Sequence, residues 1–276
     1  MVVADPADHR LGELADIAAT VLDEAVPDFV RWLGAASEVE KSPGDFATAA
    51  DFAIEERVAR LLTQRTGIAV HGEEHGGPDP AQGEAWVLDP IDGTANYSTR
   101  LPLTGMLLAL LRDGAPVAGL TWLPLLDQRW TAVGGELRCN GHRQPPLAGA
   151  KLAESAVTFG NPRRVRSTED YPTRWRFDVL EAITARCLRV RMLGSTGVEL
   201  AFVAGGVCGG ALGFSDRPWD NAAGVCMIRA VGGIATDLEG RPWTVDRPVL
   251  AGAPGVHGEL LEIVRSVGDP AAFGDD

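Results

Sequence analysis

The sequence predicts a mixed α/β fold of the α+β kind, and three patterns in it support this prediction. Apolar residues at helical spacing from residue 8 to about residue 33 indicate a long amphipathic helix. Strand patterns on either side of Asp113-Gly114, with a further strand near residues 129–133, are typical of a meandering antiparallel sheet. After a Gly- and Pro-containing boundary at residues 140–146, a second strand-and-helix half begins at Ala156. We therefore expect residues 1–146 and 147–276 to form two halves of one compact unit.

Composition narrows the classes of function. The 276 residues carry 25 Lys and Arg against 38 Asp and Glu, a formal net charge of −13. An acidic surface argues against binding to nucleic acid or an anionic membrane, whereas a phosphorylated substrate is compatible because divalent cations reverse the local charge. Four scattered cysteines indicate neither a zinc knuckle nor a disulfide framework. The sequence opens without a signal pattern and its longest apolar run, Met106 to Leu111, is too short to span a bilayer, so we expect a cytoplasmic protein.

A second helix is expected after a turn at residues 41–44. Thr48 and Asp51 have the spacing of a capping box, in which two side chains accept hydrogen bonds from each other's backbone N–H groups at a helix start. The pattern continues to about Gln64. Its apolar face leaves Glu55 and Glu56 near solvent.

The segment from Trp86 to Thr94 is the most informative part of the chain. Its apolar start predicts a buried strand, which we expect to stop at Asp89 because Pro90 has no backbone N–H for a sheet hydrogen bond. Asp89 and Asp92 then lie three residues apart at the carboxyl end of the strand, and the following glycine permits close backbone approach. Such carboxylates suit Mg²⁺, which prefers oxygen ligands and phosphate. The alternative is an Asp-Pro turn with Asp92 capping the next helix.

The loop that follows a short strand at residues 68–70 allows three interpretations. Glu73 would lie beside Asp89 if the two strands are neighbours in one sheet. Alternatively, Glu73 and Glu74 are solvated loop residues. The order His71, Glu74, His75 also matches one class of zinc peptidase, but that class needs a helix, and the glycines and proline in this stretch disfavour one.

The second half offers anion-binding and acidic positions. Residues 188–193 predict a strand, after which Gly194, Ser195, Thr196 and Gly197 open a helix to about residue 204, an arrangement that suits anion binding or ordinary capping. A short strand at 211–214 precedes a helix that ends near residue 230 and carries Asp220 in its first turn, where an N-cap is the alternative role.

A loop between Asn161 and Trp175 carries several arginines. Arg163, Arg164 and Arg166 either attract an anionic substrate or are simply solvated.

Four segments resemble the inositol monophosphatase family, the Mg²⁺-dependent, lithium-sensitive phosphatases. Asp89 to Thr94, followed by Asn96 and Tyr97, resembles the family's first signature, and Trp219-Asp220 with residues 222–224 resembles its second. Residues 72–74 and 45–51 match two further segments in the same order and spacing. The resemblance implies a layered α/β/α/β/α sandwich of the inositol monophosphatase and fructose-1,6-bisphosphatase type. It also implies a homodimer and two or three Mg²⁺ ions per site.

The resemblance also implies residue roles. Metal ligands would be the side chains of Glu73, Asp89, Asp92 and Asp220 and the backbone carbonyl of Ile91. Asp51 and Thr94 would orient the attacking water, with Glu73 as a further catalytic residue. Gly93 and Thr94 would donate backbone hydrogen bonds to the phosphate, and the alcohol would face Gly194, Ser195, Thr196 and Asp220. Elementary electrostatics agrees, because carboxylates about 4 Å apart repel by roughly 4 kcal/mol per pair at an effective dielectric near 20 and need cations to share a site with phosphate.

One position departs from the family pattern. A glutamate that contacts inositol hydroxyls usually stands seven residues before the second-signature aspartate, where this chain has Gly213, and Asp216 lies in a different register. The sequence therefore predicts a Mg²⁺-dependent phosphomonoesterase acting on inositol monophosphate or a similar small polyol phosphate. Histidinol phosphate, fructose 1,6-bisphosphate and adenosine 3′,5′-bisphosphate are alternative substrates. A regulatory, protein-binding relative without turnover is the alternative from another class.

Overall fold

Two large β-sheets and seven α-helices make up the described part of the chain. The computed structural model describes residues 6–35, 39–42, 45–163 and 171–274. Pro43 and Gly44 of the expected turn at 41–44, and Arg164 and Arg166 of the arginine loop, lie outside these residues. A small antiparallel pair, β1 (Val39–Ser42) and β2 (Asp45–Ala47), precedes the first large sheet.

The first large sheet has seven strands in sequential order. The strands are β3 (Val70–Gly72), β4 (Glu84–Asp92), β5 (Gly105–Arg112), β6 (Ala115–Leu123), β7 (Gln128–Val133), β8 (Glu136–Cys139) and β9 (His142–Arg143). Only the β3–β4 pair is parallel, so the predicted antiparallel meander is confirmed from β4 to β9. At the two-residue turn between β5 and β6, Asp113 and Gly114 have φ angles of 47° and 76°, the left-handed region that two-residue hairpins use.

The second sheet has five strands in the order β11, β10, β12, β14, β13. These are β10 (Ala156–Phe159), β11 (Arg189–Arg191), β12 (Gly210–Gly213), β13 (Ile234–Thr236) and β14 (Val249–Gly252). β10 pairs in parallel with both β11 and β12, whereas β14 pairs antiparallel with β12 and β13. The strands predicted in the second half are therefore confirmed.

Helices form three layers around the two sheets. They are α1 (Pro6–Arg31), α2 (Ala49–Thr66), α3 (Thr94–Ser98), α4 (Thr173–Thr184), α5 (Thr196–Ala204), α6 (Pro218–Ala230) and α7 (Val256–Val267). Helices α1 and α2 share one core with the first sheet, α5 and α6 pack between the sheets, and α4 and α7 share a third core with the second sheet. This arrangement confirms the layered α/β/α/β/α sandwich.

The strand β4 shows how the layers arise from the sequence. Successive side chains in a strand point to opposite faces, so a strand buried on both faces reads as a continuous apolar run. Trp86 and Leu88 pack in the core with α1 and α2, while Val87 between them packs in the core with α5 and α6. The carboxyl end of this doubly buried strand therefore opens at the junction of the layers.

Helix α6 lies very close to the first sheet. Gly119 of β6 makes this possible, because a Cβ at that position would lie 2.6 Å from the carbonyl O of Ala223 in α6. Among the described residues no helix is both long and apolar enough to cross a membrane.

Candidate active site

A β-bulge shapes the end of β4. Asp89 pairs with Leu107 and Asp92 pairs with Gly105, so two residues of β4 lie opposite one residue of β5. The prediction that the strand stops at Asp89 is therefore wrong. Pro90 cannot donate a sheet hydrogen bond, and a bulge is a place inside a sheet that tolerates it. The Ile91 N–H donates instead to Asp89 Oδ1 at 2.9 Å.

Glu73 lies beside the end of β4. Strand β3 runs parallel to β4 with Gly72 opposite Leu88, so the residues that follow the two partners, Glu73 and Asp89, are adjacent. The Glu73 N–H donates to the Leu88 carbonyl at 3.1 Å. The two strands are neighbours, as the sequence-based interpretation required.

Glu55 fixes the loop that carries Glu73. Its carboxylate accepts hydrogen bonds from the Glu74 N–H and the His75 N–H, both at 2.8 Å, and contacts His75 Nδ1 at 2.9 Å. A Cβ on Gly72 would lie 2.2 Å from this carboxylate, so the glycine gives it room. Glu55 is only 1% exposed, and the expectation that it lies near solvent is wrong because the loop folds over this face of α2.

Asp51 and Thr94 approach the site from two helix starts. The predicted capping box of α2 is confirmed, since Asp51 Oδ2 accepts from the Thr48 N–H at 2.8 Å and from the Thr48 hydroxyl at 2.6 Å. Thr94 is the first residue of α3, and its hydroxyl donates to the Ile91 carbonyl at 3.1 Å. That carbonyl thus faces the same turn as the threonine.

Asp92 connects the first half of the chain to α5. Its two carboxylate oxygens accept hydrogen bonds from the Ser195 hydroxyl, from the Thr196 N–H at 3.1 Å and from the Gly197 N–H at 2.8 Å. Burial raises the pKa of Asp92 to about 6, against the lowering effect of these donors. Asp92 does cap a helix, but that helix is α5 of the other half rather than the one that follows it in sequence.

Asp220 lies in the first turn of α6 and not at its N-cap, which is Arg217. The preceding Trp219 stacks on His71 of β3 with ring centroids 5.6 Å apart and an interplanar angle of 28°. The stack joins the α6 start to the strand that leads to Glu73. Residues 71–75 form the end of β3 and a loop, not the helix that a zinc peptidase requires.

The acids converge on Asp89. Burial raises the pKa of Asp89 well above its usual value, and the negative charges of Glu73, Asp92, Asp220 and Asp51 raise it further. Within the described ranges, no three His, Cys, Asp or Glu side chains are already arranged as a group that could hold a metal ion. Metal ligation by these residues therefore stays a prediction.

A cavity of about 580 Å³ opens beside these acids. Asp92, Asp220 and the segment Gly194–Thr196 line one part of it. Gly213, Phe214 and the buried Arg176 line another part, so no side chain projects from the position where the family usually has glutamate. Gly213 therefore forms part of the cavity wall with backbone atoms alone.

Sequence reasoning missed Glu199, which also lines this cavity. Its Oε1 accepts the Leu193 N–H at 3.0 Å, and only 4% of the residue is exposed. Burial raises the pKa of Glu199 to about 8, against the lowering effect of the Leu193 N–H, while the charge of Asp92 raises it further. Its signal in the sequence is one acid among the otherwise apolar residues 198–204.

Comparisons with known proteins agree with this geometry. A sequence profile of the inositol monophosphatase family matches residues 7–269. The chain belongs to this family. It is 50% identical over 277 residues to inositol-1-monophosphatase ImpA of Mycolicibacterium smegmatis, covering 99% of each chain. It is also 50% identical over 268 residues to a probable inositol 1-monophosphatase ImpA of Mycobacterium tuberculosis, covering 96% of this chain and 99% of that protein.

A solved structure supports the inositol monophosphatase fold. The extragenic suppressor protein suhB of Bartonella henselae superposes with a TM-score of 0.83 at 24% identity, covering 92% of this chain and 98% of that one. At this identity the likeness shows the fold. The segments of this chain that resemble the family carry the acids Asp51, Glu73, Asp92 and Asp220, whose charges act on Asp89 in this structure.

Proposed function

We propose that this protein is a Mg²⁺-dependent phosphomonoesterase that hydrolyses inositol monophosphate, or a similar small polyol phosphate, with a metal-activated water. One observation carries the proposal: four carboxylates from separate parts of the chain act electrostatically on the buried Asp89, next to a cavity large enough for such an ester. Membership of the family and the names of the 50% identical relatives support the same chemistry.

The donor set fits Mg²⁺. Glu73, Asp89, Asp92 and Asp220 offer hard carboxylate oxygens, and Ile91 offers a backbone carbonyl that faces the same turn. Burial and the neighbouring negative charges make Asp89 costly to ionise, and a divalent cation would remove that cost. When bound, two or three Mg²⁺ ions would supply a water of lowered pKa and charge stabilisation for the leaving oxygen.

The remaining residues would bind and orient the reactants. Asp51 and Thr94, with Glu73, would hold the attacking water in line with the phosphorus atom. The backbone N–H groups of Gly93 and Thr94 would donate to the phosphate oxygens. Gly194, Ser195, Thr196 and Asp220 line the cavity together and would contact the alcohol. We further propose that the protein is a cytoplasmic homodimer. Within each chain, the two halves, residues 1–146 and 147–276, would act as one catalytic unit.

The substitution Asp89→Asn tests the proposal. Asparagine keeps the Oδ1 that accepts the Ile91 N–H but removes a charge that the buried site disfavours, so the protein should remain at least as stable. Phosphate release from inositol 1-phosphate should nevertheless fall by about a thousandfold or more.

Asp79→Asn is the matched control, because Asp79 Oδ1 accepts the Ala81 N–H at the same 2.9 Å in an exposed loop. It should leave the rate unchanged. Absence of Mg²⁺-stimulated phosphate release by the wild-type protein from any of several phosphomonoesters would refute the function.

Gly213 favours testing other substrates of the same class. Because no side chain projects there, histidinol phosphate, fructose 1,6-bisphosphate and adenosine 3′,5′-bisphosphate belong in the panel beside inositol 1-phosphate. The ranking of kcat/KM values decides among them.

A further inference from the structure

Asn96 connects three segments around the cavity. It lies in α3, and its Nδ2 donates hydrogen bonds to the carbonyl oxygens of Leu103 and Leu193, both at 2.7 Å. Leu103 belongs to the first half of the chain, whereas Leu193 directly precedes the segment Gly194–Thr196 of the second. A side-chain amide nitrogen carries two hydrogens, so both donors of Asn96 hold these two segments together.

The segment that follows Leu193 is anchored at both ends. At its start, the Leu193 N–H donates to Glu199 and the Leu193 carbonyl accepts from Asn96. At its end, the Thr196 and Gly197 N–H groups donate to Asp92. Asn96 lies in α3, the helix that follows Asp92, and it binds the Leu193 carbonyl. It therefore fixes the distance between α3 and the start of the segment.

Gly194 allows the amide of Asn96 to come close. Its φ of 71° lies in the left-handed region, and a Cβ there would lie 3.3 Å from both Asn96 Nδ2 and Oδ1. A side chain at this position would therefore meet both backbone strain and a crowded amide. The left-handed backbone at Gly194 thus lies directly against the side-chain amide of Asn96.

We propose that Asn96 is a positioning residue for the alcohol side of the site. It acts through Leu193, by holding the segment Gly194–Thr196 in register with Asp92. This inference rests on the proposed function, since the segment orients a substrate only if a phosphate ester binds in the cavity that it lines. Without Asn96, the Leu193 carbonyl loses its link to α3 and only Glu199 still holds the start of the segment, while its end stays bound to Asp92.

The first test compares two substrates in the variant Asn96→Ala. The alcohol part of inositol 1-phosphate carries several hydroxyl groups, whereas the phenyl group of phenyl phosphate carries none. We expect kcat/KM for inositol 1-phosphate to fall about tenfold more than that for phenyl phosphate, mainly through KM, because two hydrogen bonds that order the alcohol side are lost. A merely structural role would lower both values by one common factor, set by the folded fraction. Equal losses would overturn the proposal.

The second test measures hydrogen exchange and needs no activity. In Asn96→Ala, the amide hydrogens of residues 193–197 should exchange about tenfold faster than in the wild type, since one of the two anchors at the start of the segment is removed while the hydrogen bond to Glu199 remains. Unchanged exchange would contradict the positioning role. Wild-type protein without phosphatase activity would refute the proposed function alone, because the exchange result still reports whether Asn96 orders this segment.

Asn140 supplies the matched control for both tests. Its Nδ2 donates to the Asp127 carbonyl at 2.7 Å, and its Oδ1 accepts the Arg129 N–H at 2.8 Å, away from the lining of the cavity. Because its φ is 49°, glycine replaces it without backbone strain. Asn140→Gly should leave the ratio of the two kcat/KM values and the exchange of residues 193–197 as in the wild type. A change of either in this variant as large as in Asn96→Ala would show that the effect is not specific to Asn96.

Discussion

The buried Glu199 should make the stability of the protein depend on pH, and Glu199→Gln should remove that dependence. Burial raises the pKa of Glu199 to about 8 in the folded protein, from an ordinary value of 4.5. Below pH 4.5 the carboxyl is protonated in both the folded and the unfolded chain. Between the two values only the unfolded chain ionises, so the free energy of unfolding falls as pH rises through this interval.

The size of the effect follows from the two pKa values. Each pKa unit corresponds to about 1.4 kcal/mol, so the interval from 4.5 to about 8 allows at most roughly 5 kcal/mol. Glutamine mimics the neutral carboxyl and keeps an oxygen for the Leu193 N–H. Relative to the wild type, Glu199→Gln should therefore gain stability between pH 5 and pH 8.5, by about 1–4 kcal/mol.

Urea denaturation of both proteins at a series of pH values, with a chelator present, measures this gain. Comparing variant with wild type at each pH cancels the titration of groups that do not interact with Glu199. Asp92 interacts with Glu199, so its titration contributes to the measured difference. Glu56→Gln, a change at an exposed position of α2, is the control and should show no pH-dependent difference above about 0.5 kcal/mol. A difference between Glu199→Gln and the wild type that stays constant from pH 5 to 8.5 would refute the reasoning.

Three further substitutions test the supports of the site. Glu55→Gln places an amide nitrogen against the backbone N–H groups of Glu74 and His75, so it should disturb the loop that carries Glu73. The affinity for Mg²⁺, measured by calorimetric titration, should fall about tenfold to a hundredfold. An unchanged affinity would contradict the role of Glu55 in fixing this loop. His71→Ala removes the stack on Trp219 and should cost about 1 kcal/mol and alter tryptophan fluorescence; an unchanged spectrum would argue against the stack. Gly119→Ala should destabilise by about 1–3 kcal/mol in thermal unfolding, because its Cβ would lie 2.6 Å from a backbone carbonyl of α6; a neutral result would mean that α6 shifts freely.

Local patterns were sufficient for most of the fold. The start of β10 and the positions of α5 and α6 followed from local patterns, such as the small and hydroxyl residues Gly194 to Gly197 that open α5. The course of β4 did not, because Pro90 ends an isolated strand pattern and only the pairing with β5 shows that a bulge accommodates it. Register between strands is a property of two segments and cannot be read from one.

The site was predictable where its residues stand in short motifs. Asp89 and Asp92 were singled out by their positions at a strand end, whereas Asp220, at a helix start, was singled out as a ligand only by the resemblance to the family. Glu55 was misjudged because its burial depends on where the loop after β3 folds back, which no helical pattern in α2 encodes. Glu199 was missed because its partner, the Leu193 N–H, is defined only once α5 has formed.

Asp92 accepts hydrogen bonds from amides 104 and 105 residues further along the chain. On the ribosome, the amino-terminal part of a protein emerges and folds first. A nascent chain that has produced the seven-stranded sheet therefore carries Asp92 without the donors that hold it, and fragments truncated before Ser195 should remain inert. The active site is therefore completed late in synthesis, when the start of α5 binds the Asp92 carboxylate, which was synthesised about a hundred residues earlier.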